Sequence, residues 1–232
     1  MSPAEVANGV QLTLFSANLY ESNGDPGSIV AEALDTSADV VVFLEFTSRA
    51  ERAVQAANFE ERFPYRVGEA RDGFHGNVIY SRFPLTDAET WISDKTPQTR
   101  ATIAFANKAI RLYAVHTIAP AGFGAFRGWN ANFEALRAEL SREMGPVVVV
   151  GDLNLTSQHR WYGEIVDAGF SDCHRELGRG LATTWPNGTS WLPPLRLDQV
   201  FVRNKAVCLD IREGRGHGSD HRPVVTEITV LP

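Results

Sequence analysis

The sequence predicts an α/β fold, and three observations carry that reading. Apolar runs of buried-strand length, residues 39–45 and 147–150, end on acids or amides. A strand, helix, strand order opens the chain, and the later half is rich in short extended segments separated by turn residues. Its 232 residues can bury a substantial core, and no second composition or long linker interrupts them, so one domain over 1–232 is expected.

Residues 10–18 alternate as a strand and end on the amide of Asn18. Asp25, Pro26 and Ser28 offer capping chemistry for a helix through Leu34, with Ile29, Val30, Ala33 and Leu34 on one face. The run 39–45 is nearly all apolar, the pattern of a strand covered on both faces, and it brings Glu45 to a strand end comparable with that of Asn18. Thr47 or Ser48 caps a second helix carried by Ala50, Ala53, Val54 and Ala57.

Past Tyr65 extended pieces are expected at 77–81, 85–92, 101–105 and 110–116, with Asn107 and Lys108 turning the last two as a hairpin. The spacing of Phe133, Leu136 and Leu140 predicts a helix over 131–143 that Gly145 and Pro146 stop. The strand from Val147 then runs into Gly151, Asp152, Leu153 and Asn154; the spacer lets Asp152 and Asn154 point the same way while Leu153 packs behind. Trp161, Tyr162, Ile165 and Val166 mark a helix ending near Gly169, and 197–202, 206–211 and 223–230 read as strands.

Formal net charge is −6 and no lysine/arginine cluster stands out, so the footprint of a protein that grips long nucleic acid is missing. A locally positive cleft can still exist on an acidic chain, above all around bound cations. Cys173 and Cys208 are too few for a disulfide framework and lack zinc or redox spacing. They form one bridge or stay as buried thiols, and the thiol reading is favoured. Residues 1–11 show neither a signal peptide nor a membrane span.

Taken in order, Ser16-Ala17-Asn18, Leu44-Glu45, Gly76-Asn77-Val78-Ile79-Tyr80-Ser81-Arg82, Val115-His116-Thr117, Gly151-Asp152-Leu153-Asn154, Leu197-Asp198-Gln199-Val200 and Ser219-Asp220-His221-Arg222-Pro223 resemble the endonuclease/exonuclease/phosphatase superfamily over nearly the whole chain. That group includes pancreatic deoxyribonuclease, abasic-site endonucleases, sphingomyelinases and inositol-polyphosphate phosphatases. The resemblance implies a four-layer α/β/β/α sandwich of two packed mixed β-sheets, with the active site at one end of the strands. Some bacterial members carry membrane helices ahead of such a domain, so a soluble portion of a membrane-anchored protein is one expectation.

The implied chemistry is phosphate-ester hydrolysis with magnesium or manganese, one or two ions, held by hard oxygen ligands. By resemblance Glu45 leads the metal set with Asn18 and Asp220. Asp152 orients or deprotonates the attacking water and Asn154 holds it; with two ions, both also bind the second. His221 donates to a phosphate oxygen and is assigned to the metal shell as well, while Asp198 accepts its other ring proton. His116 contacts the scissile phosphate or protonates the leaving oxygen, with no evident partner. Of Glu69, His75 and Asn77, Asn77 ranks first as a substrate contact. Taken alone, each residue has a plainer reading: Glu45 as a surface acid, Asp152 and Asn154 as a turn, Asp198 as a loop cap.

Two aromatic loops, 118–129 and 184–194, border the expected cleft. Their rings suit a base, a sugar or a lipid surface, or pack on each other as a loop core. Trp185 is a candidate substrate contact, and Arg127 either meets substrate phosphate or is solvated. The reading is a metal-dependent phosphodiesterase or phosphatase acting on a small or lipid-like ester. The alternatives are a DNA or RNA nuclease using the same residues, which the charge does not favour and the lack of a basic helix argues against for duplex reading, and a noncatalytic binding module, which the retained polar set disfavours.

Overall fold

A computed structural model describes residue 6 and residues 8–122, 124–188 and 190–232. Phe123 and Thr189 of the two aromatic loops, and residues 1–5 and 7 of the N-terminal segment, lie outside the described residues.

The expected strands pair into two six-stranded sheets. In the first, β1 (Val10–Asn18) and β2 (Val40–Leu44) run parallel at the centre. Around them lie β3 (Tyr65–Glu69), β4 (Asn77–Ser81), β11 (Ala206–Glu213) and β12 (Val224–Val230), in the order β11-β12-β1-β2-β4-β3. In the second, β7 (Lys108–Ala114) and β8 (Val147–Asp152) form the parallel pair. The strands β5 (Leu85–Ser93), β6 (Thr96–Phe105), β9 (Ser171–Asp172) and β10 (Asp198–Arg203) complete the order β5-β6-β7-β8-β10-β9. Two mixed sheets are therefore built alike.

Strand alternation decides the layers. Leu12, Leu14, Val40, Val42 and Leu44 from one sheet meet Ile103, Ile110, Leu112, Val148, Val150 and Val200 from the other as a common buried cluster. The intervening residues Phe15, Val41, Phe43 and Tyr80 face outward against α1 (Gly27–Asp35), α2 (Ser48–Ala56) and α3 (Phe59–Arg62) through Ile29, Val30, Val54 and Phe59. On the far side Tyr113, Val147, Val149 and Phe201 meet α4 (Ala125–Leu140) and α5 (Arg160–Asp167) through Trp129, Phe133, Leu136 and Trp161. The result is the four-layer α/β/β/α sandwich. Each such side chain, fully buried, contributes roughly 1.5–3 kcal/mol relative to exposure, which fixes the central strands firmly.

Several elements differ from expectation. Helix α4 begins at Ala125 rather than at residue 131, behind Gly124 at φ 86°, with no side-chain cap. The run of glycines and the missing cap conceal this start, and the end of the loop 118–129 is in fact helical. Trp129 is accordingly core, its ring 5.1 Å from that of Phe133. The hairpin turn falls on Ala106 and Asn107, both at positive φ, because Phe105 pairs with Lys108. Strand β3 went unread because Gly68 and partial exposure erase its alternation. Asp25 does not cap α1; Pro26 occupies the cap position and Asp25 accepts from Ser28 Oγ instead. Thr47 does cap α2, accepting from the Ala50 amide. No described helix is long and apolar enough to cross a membrane.

Cys173 and Cys208 are bridged, with Cα atoms 5.5 Å apart, which corrects the thiol reading. Cys173 opens the short helix α6 (Cys173–Glu176), and Cys208 lies on β11 of the other sheet, so the bond links the two sheets. Two-residue pairing of β9 with β10 does not signal this proximity in the sequence. Beside it Arg196 donates to both oxygens of Asp172 at 2.9 and 2.7 Å, and Tyr162 donates to Asp172 at 2.8 Å. Burial alone would raise the Asp172 carboxyl, but Arg196 prevails and holds it below its usual range. Reducing the bridge, which spans 35 residues, should cost about 3–4 kcal/mol in the chain-entropy account. Urea midpoints with and without reductant, compared with Cys173→Ala/Cys208→Ala, measure this; a midpoint indifferent to reductant contradicts it.

Candidate active site

Register carries the polar strand ends to one edge of the sandwich. Asn18 pairs with Leu44, and Leu44 with Asn77. In the other sheet Ala114 pairs with Val150 and Asp152 with Asp198. Ser16 pairs with Val224, so the loop holding His221 enters the same edge. Glu45 follows β2 directly and His116 follows β7 by two residues.

Local backbone then aims the side chains. Glu45 and Asn154 sit at φ 52° and 46°, a left-handed conformation that non-glycine residues seldom adopt and that the surroundings must hold. Flanking bonds do so at Glu45: the Leu19 amide donates to Leu44 O, Phe46 donates to Gly76 O, and the Glu21 amide donates to Glu45 Oε2 at 2.7 Å. Gly151 has φ 136°, and a Cβ there would lie 2.2 Å from Val115 O. Only glycine permits β8 to approach that close while delivering Asp152.

At the centre, the amide of Asn18 donates to Glu45 Oε1 at 2.9 Å and to Asp152 Oδ2 at 3.1 Å. One nitrogen thus binds carboxylates from both sheets. His116 Nε2 is 3.7 Å from each of the same two oxygens, and His221 Nε2 is 3.5 Å from Asp152 Oδ2. Asp152 is 1% exposed, and its Oδ1 accepts the Asn154 amide at 2.9 Å.

Behind these groups stands a second ring of contacts. His221 Nδ1 donates to Asp198 Oδ2 at 2.8 Å. Asp198 is fixed in turn by Thr184, whose hydroxyl accepts from the Leu197 and Asp198 amides, both at 3.1 Å. Ser219 donates to Asn18 O and accepts the His221 amide. Gln98 pairs with the His116 backbone in both directions at 2.7 Å. His116 Nδ1 donates to Phe74 O at 3.1 Å, since a carbonyl can only accept. This supplies the partner that the sequence left open and turns Nε2 to the carboxylates.

Burial would lower the pKa of His221, but the Asp198 and Asp152 carboxylates outweigh it and push it up to about 10. The ring is therefore a cation at neutral pH.

Of the sequence candidates, Asn18, Glu45, His116, Asp152, Asp198 and His221 come together. Asn154 and Asp220 line the same cleft, as does Trp185, whose indole donates to Asp220 Oδ2 at 3.2 Å. The cleft is about 650 Å³, with a polar floor and a wall of Ile118, Ala119, Pro120, Leu195 and Leu197. Asn77 is buried behind it, donating to Ala114 O, and Arg127 borders a neighbouring groove together with His75. Glu69 pairs with Arg71 at the exposed surface. Trp191 is 92% exposed. Gln98, Thr184 and Phe74 were not read from the sequence, because each acts through a partner distant in the chain.

The profile of the Endonuclease/Exonuclease/phosphatase family matches residues 15–221. An uncharacterized Escherichia coli K12 protein, YbhP, is 29% identical over 171 residues, covering 68% of this chain and 64% of its own length; the chain thus spans less than two thirds of that relative. Among solved structures, D. rerio TDP2 complexed with single strand DNA product superposes with a TM-score of 0.78 at 16% identity, covering 94% of this chain and 98% of that one. The 3′ phosphatase NExo from Neisseria, bound to a product DNA hairpin, gives 0.75 at 18% identity, covering 93% and 98%. A family protein from Bacteroides thetaiotaomicron gives 0.72 at 17% identity, covering 97% and 100%. At these identities the structures share the fold.

In the ion-free protein the His221 ring should titrate near pH 10, and Asp198→Asn should bring it down toward the ordinary value, as read from ring nitrogen shifts by NMR. A wild-type titration below pH 7 would refute the pairing.

Proposed function

Because the chain belongs to the endonuclease/exonuclease/phosphatase family, we propose that it is a divalent-metal-dependent phosphoesterase, hydrolysing a phosphodiester or phosphomonoester at the cleft. The observation that carries this reading is the convergence of Glu45 and Asp152 on one amide of Asn18, beside two imidazoles. Among the described residues no three His, Cys, Asp or Glu side chains form a closed metal-ligand group. The available donors, the carboxylates of Glu45 and Asp152, instead fit a hard ion that keeps much of its water, such as magnesium or manganese. Bound there, the ion would neutralise phosphate charge and make water more acidic. Glu45 would hold it, with Asp220 and Asp152 completing the set; Asn18, whose side-chain oxygen accepts from the Tyr20 amide at 2.9 Å, positions the two carboxylates through its nitrogen.

The chain's own groups supply the remaining steps. Asp152, an acceptor held by the Asn154 amide and the Asn18 side chain, takes the proton of the attacking water. Asn154 has its side-chain amide committed to Thr117 O at 3.0 Å, which leaves its side-chain oxygen to accept from that water. His221, charged and braced by Asp198, donates Nε2–H to a non-bridging phosphate oxygen as charge builds there. His116, with Nδ1–H held on Phe74 O, turns Nε2 to the leaving oxygen and, as the imidazolium, donates Nε2–H to it.

The apolar wall supports an ester whose organic part is uncharged, and no lysine or arginine lines the cleft among the described residues. The two similar structures solved with product DNA support the nuclease as a second reading.

Turnover of bis(p-nitrophenyl) phosphate should need added Mg²⁺ or Mn²⁺ and vanish in chelator. Asp152→Ala should lower kcat/KM about 10²–10⁴-fold and His221→Ala about 10²–10³-fold. Activity that persists in chelator, or in Asp152→Ala, overturns the reading; added single- and double-stranded DNA arms separate the nuclease.

A further inference from the structure

Between β11 and β12 the chain runs through residues 214–223, the segment that carries Asp220 and His221. It contains no helix or strand, so its shape depends on side chains from elsewhere. Glu32 of α1 grips its start, Oε1 and Oε2 accepting the Arg215 and Gly216 amides at 2.6 and 3.0 Å. Ser219 grips its other end by donating to Asn18 O at 2.8 Å. Between these grips the segment turns back on itself. Gly216 has φ 62°, its carbonyl accepts the Ser219 amide at 3.0 Å, and a Cβ on it would stand 2.3 Å from His221 O.

Asn187, from the aromatic loop 184–194, reaches into that turn. Its Nδ2 lies 2.9 Å from Arg215 O, 2.9 Å from Gly216 O and 3.1 Å from Ser219 O. A carbonyl oxygen can only accept, so the amide nitrogen must face all three and share its two hydrogens among them. The Asn187 backbone amide donates to Asp220 O at 2.7 Å, and the Arg222 amide donates to Thr184 O at 2.8 Å. One residue thus bonds the turn through its side chain and Asp220 through its backbone. Asn187 itself lines a groove beside the cleft, not the cleft. We propose that Asn187 is a positioning residue for hydrolysis, holding the turn 215–219 in the shape that brings Asp220 to the ion and His221 Nε2 to the phosphate. Without its donor the turn relaxes, and both groups move together. The proposal rests on the phosphoesterase reading for the roles of those two groups.

Asn187→Asp keeps the side-chain shape but sets an oxygen against three carbonyls, and Asn187→Ala removes the donor without adding charge, which keeps the test open should the first variant fail to fold. Asn204→Ala is the control, since its amide also holds carbonyls, Met144 O and Gly145 O, but at the far end of β10. With bis(p-nitrophenyl) phosphate and Mg²⁺, both Asn187 variants should lower kcat about 10–10²-fold, the scale expected when reacting groups are displaced by about 1 Å, with KM changed less than about twofold. Asn204→Ala should lower the urea midpoint and leave kcat unchanged. The Trp185 indole N–H, which donates to Asp220 Oδ2 at 3.2 Å, gives a readout independent of turnover. Its NMR resonance should shift and exchange faster with water in both Asn187 variants, and should not move in Asn204→Ala. Asn187 variants that lose stability while kcat or the indole resonance stays unchanged overturn the proposal, as does an equal fall of kcat in Asn204→Ala. If the unsubstituted protein turns nothing over, the phosphoesterase reading falls, and the indole resonance alone decides whether Asn187 sets Asp220.

Discussion

The site depends on one amide that holds two acids from different sheets. Glu45 and Asp152 are like charges, and at a few ångströms they repel by an amount that low surrounding polarity enlarges. Nothing local brings them together: Asn18 and Glu45 come from one sheet, Asp152 from the other. The face-to-face packing of Leu14, Val42, Leu112 and Val150 sets the distance, and the Asn18 amide and the His221 cation offset the repulsion. A cation in the same place would satisfy the pair further, which is why the convergence argues for one.

Backbone conformation follows from that constraint. Both parallel pairs end in the same direction, so their carboxyl ends form one edge, and the chain must turn sharply there without losing its aim. Positive φ at Glu45 and Asn154 and the close approach at Gly151 provide the turns. The bond from Thr184 through Asp198 to His221 then extends the same order into the C-terminal loop. Buried polar groups in such a chain are costly unless each is satisfied; Asp198 Oδ2 is bonded to His221, while its Oδ1 is buried without a hydrogen-bond partner.

Much of this was legible in the sequence because strand period and strand ends are local properties. The runs that became β1, β2 and β8 displayed their polar terminal residues directly, and the ordered motifs resembled one family. Other features were hidden for physical reasons. The start of α4 carries no capping side chain, so its first turn reads as loop. Gln98 and Thr184 act on backbone 18 and 13–14 residues away, a pairing that only register reveals. The disulfide joins elements that meet through sheet packing, and two cysteines in isolation carry no such signal.

The account makes the strand-end cluster a single chelating pocket on an α/β/β/α scaffold, with an apolar wall for the organic part of an ester. Its most direct test is the paramagnetic effect of Mn²⁺ on the NMR spectrum of the intact protein. The account predicts that substoichiometric Mn²⁺ broadens the resonances of Asn18, Glu45, His116, Asp152 and His221 together, and that Glu45→Gln removes this effect while leaving the fold unchanged. Broadening confined to surface acids elsewhere, or unaltered in Glu45→Gln, would contradict it.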